Sequence, residues 1–167
     1  MTFVTIGGVT VGICILVATL VQWWPGPKSL RADPIRHLGA LLPFLAAWCY
    51  GALAVLGVGG LVGWVADTAL WISNWLGDVA LVWGVGGQSG QHGAARYLPL
   101  TQTGTGIVLV LTVAMLAAIK KSARGRDLKY GMWCGITLGM SAGVAGLVAV
   151  PLAQSANWLG AQVYGAL

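Results

Sequence analysis

Long apolar stretches alternate with short polar ones along this chain, and their lengths predict membrane-spanning helices. The apolar stretches are residues 3–22, 38–64, 105–119 and 130–153. Because a helix rises about 1.5 Å per residue, about 20 apolar residues cross a hydrocarbon layer about 30 Å thick. The third stretch is shorter, so we expect it to include residues from Tyr97 onward or the bilayer to adapt to it.

A cleaved signal peptide is the alternative interpretation of the first stretch. Such a peptide has basic residues before its apolar run, whereas only the terminal amine precedes this one. We therefore expect residues 3–22 to be a retained helix. Trp23 and Trp24 at its end are typical of an interface anchor, and the proline-containing residues 25–37 that follow predict a turn rather than a helix.

Two amphipathic segments follow the second and fourth apolar stretches. The first is residues 66–83, where at about 100° per residue the polar positions fall on one side of a helix with tryptophans beside them. This side consists of Asp67, Trp71, Asn74, Trp75 and Asp78. Two aspartates argue against a further span, so the segment lies in the interface or continues the second span outward. The second segment is the tail, residues 154–167, with Asn157 and Trp158, and we expect both segments to form outer contacts.

Glycines recur at every fourth position of the last apolar stretch and form one smooth stripe on a helix. These glycines are Gly131, Gly135, Gly139 and Gly143. Two pairs elsewhere have the same spacing, Gly8 with Gly12 and Gly59 with Gly63. Small residues let backbones approach closely, and close packing joins helices in lipid. We expect these faces to pack helices, within the chain or between subunits, although glycine is also simply frequent in membrane helices.

The two halves of the chain resemble each other in sequence and in the order of their features. The matching segments are Gly57–Val62 with Gly143–Val148, and Ser73–Gly77 with Ser155–Gly160, the last with one inserted residue. Each half contains a span, a basic turn, a glycine-rich span and an amphipathic segment with the letters NWLG. The fold predicted is an all-α integral membrane protein with four transmembrane helices, arranged as two parallel two-helix repeats. The first repeat is residues 1–83, the connector 84–104 and the second repeat 105–167.

Composition and charge agree with this fold and give it an orientation. Only 8% of the residues are charged and 57% are hydrophobic, whereas soluble domains carry about 25% charged residues. Eight of the nine basic residues lie in two short loops, and these are Lys28, Arg31, Arg36, Lys120, Lys121, Arg124, Arg126 and Lys129. With four spans both loops share one face, which the positive-inside rule places in the cytoplasm, with both termini and residues 65–104 outside. The richness in Ala, Gly, Val and Trp suggests a bacterial plasma membrane.

The same residues limit the chemistry and the partners that we expect. Cys14, Cys49 and Cys134 lie in apolar runs, and His37 and His92 are far apart, so neither a disulfide framework nor a metal site is expected. No ionisable side chain other than cysteine or tyrosine lies within the four stretches, which weighs against proton relays and coupled transport. We expect no catalytic residue and no cofactor. Anionic lipid head groups are expected at the basic loops and nucleic acid is not, since no aromatic platform is interleaved with them.

Two classes of function follow from the sequence. In the first, the chain associates with itself through glycine faces as a structural or pore-forming subunit, holin-like or part of a conjugation or secretion apparatus. In the second, it is an accessory subunit of a larger membrane complex and its outer tryptophans are the contacts. Self-association distinguishes the two, because only the first class requires it.

Overall fold

The structure is a computed structural model that describes residues 4–57, 60–88, 90–92, 100–139 and 144–166. Its helices are α1 Ile6–Trp23, α2 Pro27–Ala32, α3 Pro34–Leu56, α4 Gly60–Val79, α5 Gln102–Lys121, α6 Gly125–Gly139 and α7 Val144–Gly165. A π-helical turn, Ala80–Gly84, continues α4. Two short strands, β1 Val4–Thr5 and β2 Gln91–His92, pair antiparallel, so the start of the chain meets the connector. Apart from this pairing, the regular structure of the described residues is helical.

Three of these helices, α1, α3 and α5, are long and apolar enough to cross a membrane. These helices lie where the first three spans are predicted, although α3 differs from the second predicted span at its ends. The third is longer than the apolar stretch predicts, because Thr101 caps its first turn and two lysines extend its last turn. The fourth predicted span is divided between α6 and α7, and residues 140–143 between them lie outside the described residues.

Two predicted boundaries are wrong. The second span was expected to reach residue 64, but α3 ends at Leu56, Gly57 is extended, and Gly60 begins α4 with φ 75°. Only glycine adopts that backbone conformation without a steric penalty, so the glycines here separate the two helices. The loop 25–37 was expected to be a turn, yet it contains α2 and the start of α3. Pro27 and Pro34 stand at the first helical positions, where the missing N–H has no partner to lose.

The centre of the molecule is the parallel pair α3 and α6. Gly131, Gly135 and Gly139 face Phe44, Trp48 and Ala52 in the same order along the chain. A β-carbon at Gly131 or Gly135 would overlap the carbonyl oxygen opposite it, and one at Gly139 would lie 2.9 Å from the α-carbon of Ala52. Glycine at these positions therefore lets the two backbones touch, which is the form of packing that joins helices in lipid.

The remaining long helices flank this pair from two sides. On one side α1 packs against α4 and α6, and on the other α5 packs against α7, α6 and α3. Hydroxyl groups link the layers: Trp133 donates its Nε1 hydrogen to Ser73 Oγ at 2.8 Å, and Tyr50 donates its hydroxyl hydrogen to Thr112 at 2.9 Å. Each long helix is thus held by at least one neighbour that is distant in sequence.

We predict that Gly135→Ala lowers the free energy of unfolding by about 1–3 kcal/mol, because its methyl group would overlap the Trp48 carbonyl and separate the helices. Gly39→Ala is the matched control, since nothing lies within 4 Å of a β-carbon at that position of α3. There alanine should stabilise the helix by up to about 1 kcal/mol. Unfolding in mixed micelles, followed by circular dichroism, measures both variants, and equal destabilisation would contradict the packing.

Candidate functional site

The first helix begins at a junction built from Thr5 and Asn74. The Thr5 hydroxyl oxygen accepts the N–H of Gly8 at 3.1 Å, and Asn74 Oδ1 accepts the N–H of Thr5 at 3.2 Å. The first N–H groups of a helix have no partner within it, so this arrangement satisfies two donors that would otherwise be buried unpaired. Asn74 is only 8% exposed, and the contact joins α4 to the start of α1.

The same junction occurs at the start of α5, between Thr101 and Asn157. The Thr101 hydroxyl oxygen accepts the N–H of Gly104 at 3.2 Å. Asn157 Oδ1 accepts the N–H of Thr101 at 2.9 Å and its hydroxyl hydrogen at 3.0 Å. This contact joins α7 to the start of α5, as the first junction joins α4 to α1.

Glycines make both junctions sterically possible. A β-carbon at Gly8 would overlap Asn74 Oδ1, and one at Gly104 would overlap Asn157 Oδ1. The glycine that ends each NWLG sequence also allows close approach. Gly77 contacts the backbone of α1, and a β-carbon at Gly160 would lie 2.6 Å from the Thr103 carbonyl oxygen. The threonines were not predicted from the sequence. A threonine at or just before the start of the first and third apolar runs, with glycine three residues later, is the signal that marks them.

The residues predicted to form the outer contacts are divided in the structure between the surface and the interior. Trp71, Trp75 and Trp158 are 67%, 61% and 62% exposed and form the set that we call the outer tryptophans. Asp67 is also exposed. Asn74 is buried instead, because its side-chain oxygen Oδ1 accepts the N–H of Thr5 at the start of α1. Asn157 is half-buried for the same reason.

Asp78, the remaining member of that prediction, is half-buried at the start of α1. One of its carboxylate oxygens is fully covered beside Gly7. A negative charge is favoured at this place, since the N-terminus of a helix carries a partial positive charge. The carboxylate of Asp67, which faces outward on the same helix, has its pKa raised above the usual value by partial burial.

The predicted helix-packing glycines lie in contacts within this chain wherever the structure describes them. Three belong to the α3–α6 pair, and Gly8 lies in the first junction. A β-carbon at Gly12 would meet Leu138 of α6 at 2.8 Å, and one at Gly63 would lie 2.7 Å from the carbonyl oxygen of Gly57. Gly59 and Gly143 lie outside the described residues.

The two basic segments come together at one end of the molecule, where α1 ends and α3 and α6 begin. Arg124 donates from Nη1 to the carbonyl oxygen of Ala40 at 3.2 Å, and Trp23 donates from Nε1 to the carbonyl oxygen of His37 at 2.7 Å. All eight predicted basic residues are exposed: Lys28, Arg31, Arg36, Lys120, Lys121, Arg124, Arg126 and Lys129. The first junction lies at the other end of α1 and the second at the start of α5, whose last turn carries Lys120 and Lys121, so the basic and capped ends are separated by the length of a helix.

Comparison with protein-family models, with curated proteins and with solved structures finds no match. Across the part of the chain that the structure describes, His, Cys and Asp do not gather in groups of three that could hold a metal ion. The features on which a function can be argued are therefore the junctions, the outer tryptophans and the basic end.

We predict that Asn74→Ala destabilises the protein by about 1–3 kcal/mol, because the buried N–H of Thr5 loses its acceptor. Asn157→Ala should cost less, about 0.5–1.5 kcal/mol, because Thr101 is exposed and its N–H can bond to water instead. Gln154→Ala, which removes an exposed amide from α7, serves as the control. Thermal unfolding gives the stability, and amide hydrogen exchange should speed up at the threonine whose acceptor was removed. Unchanged exchange at Thr5 in Asn74→Ala would contradict this assignment.

Proposed function

We propose that this chain is an accessory structural subunit of a larger membrane complex, a folded helical unit that contacts other chains through its outer tryptophans. One observation carries the proposal. The described glycine faces that could have joined two copies are occupied by helices of the same chain, whereas the outer tryptophans are 61–67% exposed. The exposed tryptophans of α4 and α7 are therefore available to another chain without unfolding of the central helix pair.

The proposed orientation places the basic end in the cytoplasm of a bacterial plasma membrane and both termini outside. The hydrogen bond from Arg124 to Ala40 supports it, since it brings both basic segments to one end. Basic residues concentrate on the cytoplasmic side because they resist translocation. In this topology α6 and the first part of α7 form the fourth span. The outer segments are then α4 and the rest of α7.

A duplicated, parallel two-repeat architecture is part of the proposal and is supported by reciprocal contacts. Gly51 faces the carbonyl oxygen of Met132, and Gly135 faces that of Trp48. One offset in sequence relates Gly51 to Gly135 and Trp48 to Met132, as expected for two helices around a two-fold axis. The threonine–asparagine junctions repeat on either side of this pair. Each repeat also packs its first helix on the other repeat's central helix, α1 on α6 and α5 on α3.

Tryptophan is suited both to protein contacts and to the lipid interface, and the outer tryptophans can fill both roles at once. Its large ring buries much apolar area with few rotatable bonds, and it is enriched where interfaces have their greatest energy. It also prefers the headgroup level of a membrane. The outer tryptophans would therefore hold a partner subunit at the membrane surface.

A second candidate is a self-associating structural or pore-forming subunit, holin-like or part of a conjugation or secretion apparatus. The exposed apolar face of α5 favours it, since Leu109, Val110 and Val113 are 60–64% exposed. In the described residues the glycine stripe is covered by α3, so a second copy would have to use this face or the outer tryptophans.

We predict that the purified chain is a monomer in nanodiscs by native mass measurement. The Gly135→Leu/Gly139→Leu double variant should lose its folded packing rather than dissociate from an oligomer, because these glycines face Trp48 and Ala52 of the same chain. Circular dichroism and unfolding midpoints distinguish the two effects. A wild-type oligomer of defined mass that the double variant converts to a folded monomer would contradict the proposal and favour the second candidate.

A photo-crosslinking amino acid at Trp75 or Trp158, introduced in native membranes, should give an adduct that contains a chain other than this one. The same amino acid at Val110, equally exposed on α5, is the control and should react mainly with lipid. Mass spectrometry of the adduct identifies its composition. Adducts of two copies of this chain alone would instead support self-assembly.

A further inference from the structure

A cavity of about 280 Å³ opens at the basic end of the molecule. It lies between the last turns of α1, the early turns of α3 and the start of α6, so it is built from three helices rather than from one loop. Its apolar wall includes Leu41 and the buried ring of Phe44. Its charged wall includes Arg124, Arg126 and Asp127. The cavity is therefore apolar on one side and carries both signs of charge on the other.

The position of this cavity matches the headgroup level of the bilayer. Helix α1 crosses the apolar layer and ends at Trp23, which lines the cavity and packs edge to face with Trp24 at a ring-centre distance of 6.2 Å. Tyr130 lines it from α6. Tryptophan and tyrosine prefer this depth of the membrane, so a lipid molecule beside α1 would present its headgroup to the charged wall and its acyl chains to the helices.

The charged wall fits a headgroup that carries a phosphate and a cation together. Guanidinium groups present several donors in a fixed plane and bind phosphate oxygens in pairs. A carboxylate accepts hydrogen bonds from a primary ammonium, and aromatic rings attract cations to their faces. A headgroup with only negative charge would leave Asp127 facing it without compensation. A quaternary ammonium would offer Asp127 no N–H donor.

We propose that this cavity is a binding site for the phosphoethanolamine headgroup of a membrane phospholipid. Arg124 and Arg126 hold the phosphate, and Asp127 with the neighbouring rings of Trp23 and Tyr130 holds the ammonium group. The site rests on the membrane-spanning helices and on these side chains, and is independent of which protein partner the outer tryptophans contact. It also assigns to the basic end a selectivity that general attraction to negative lipid does not provide.

Binding here would tie the two basic segments together. Arg124 already donates to the carbonyl oxygen of Ala40 at the start of α3. Its remaining donors can bind the phosphate at the same time, since a guanidinium has five N–H groups. A bound headgroup therefore bridges α3 and α6 at the basic end, next to the close contact between Gly131 and Phe44.

The test uses delipidated full-length protein in detergent with equimolar phosphatidylethanolamine, phosphatidylglycerol and phosphatidylcholine of identical acyl chains. Native mass spectrometry measures the lipid retained. We expect phosphatidylethanolamine to be retained about tenfold over each of the others, a difference of about 1.4 kcal/mol. Equal or greater retention of phosphatidylglycerol or phosphatidylcholine by the wild type would overturn the proposal.

Variants separate the two halves of the headgroup. Asp127→Asn should remove the preference for phosphatidylethanolamine over phosphatidylglycerol while leaving total lipid binding in place, and Arg126→Gln should weaken both lipids. Lys120→Gln, a basic change in the same segment but outside the cavity, should match the wild type. An unchanged preference in Asp127→Asn would overturn the assignment of the ammonium group.

A soluble competitor identifies the source of the headgroup. Free phosphoethanolamine should displace the retained lipid only at far higher concentration, because it lacks the acyl chains that contact the apolar wall. Displacement at concentrations comparable to those of the lipid would show a site for a soluble compound and would overturn the lipid assignment. Circular dichroism tests whether each variant is folded. If Arg126→Gln is unfolded, the Asp127→Asn comparison still decides whether the assignment holds.

Discussion

Backbone contact between α3 and α6 is the constraint on which the rest of the structure depends. In lipid the side chains of two helices gain little from leaving their surroundings, so close packing has to hold the helices together. Gly51 and Gly135 make that packing possible by letting carbonyl oxygens approach where any other residue would overlap. The flanking helices then pack on a rigid centre, and the sequence can leave large apolar side chains on the surface.

The backbone N–H groups at the helix N-termini impose a second constraint. A backbone N–H without a partner is costly in a medium that contains no water. Asn74 and Asn157 supply the missing acceptors from the last helix of each half. These asparagines hold α4 and α7 in place, and that is why the adjacent tryptophans, Trp75 and Trp158, point outward. The surface available to a partner is therefore a consequence of how the helix ends are satisfied.

The sequence predicts helices well where a long apolar run is uninterrupted, and α1 and α5 show this. The glycine spacing also marks a packing face, but it says nothing about which helix covers it, because α3 is far away in sequence. The break after Leu56 depends on the positive φ of Gly60, and the spacing of apolar residues along the chain does not predict that backbone conformation. Asn74 was placed on the outer surface because amphipathicity measures polarity alone and cannot identify an acceptor for Thr5, 69 residues away.

The central claim is that the glycine stripe packs against α3 of the same chain. Solid-state NMR of protein in bilayers, labelled at glycine α-carbons and tryptophan carbonyl carbons, measures this contact without a disruptive mutation. We predict a cross-peak between Gly135 and Trp48 that disappears in Trp48→Phe. Diluting labelled chains into unlabelled ones should leave the intensity per labelled chain unchanged. A cross-peak that vanishes on dilution, or one that is absent from undiluted wild-type protein, would contradict it.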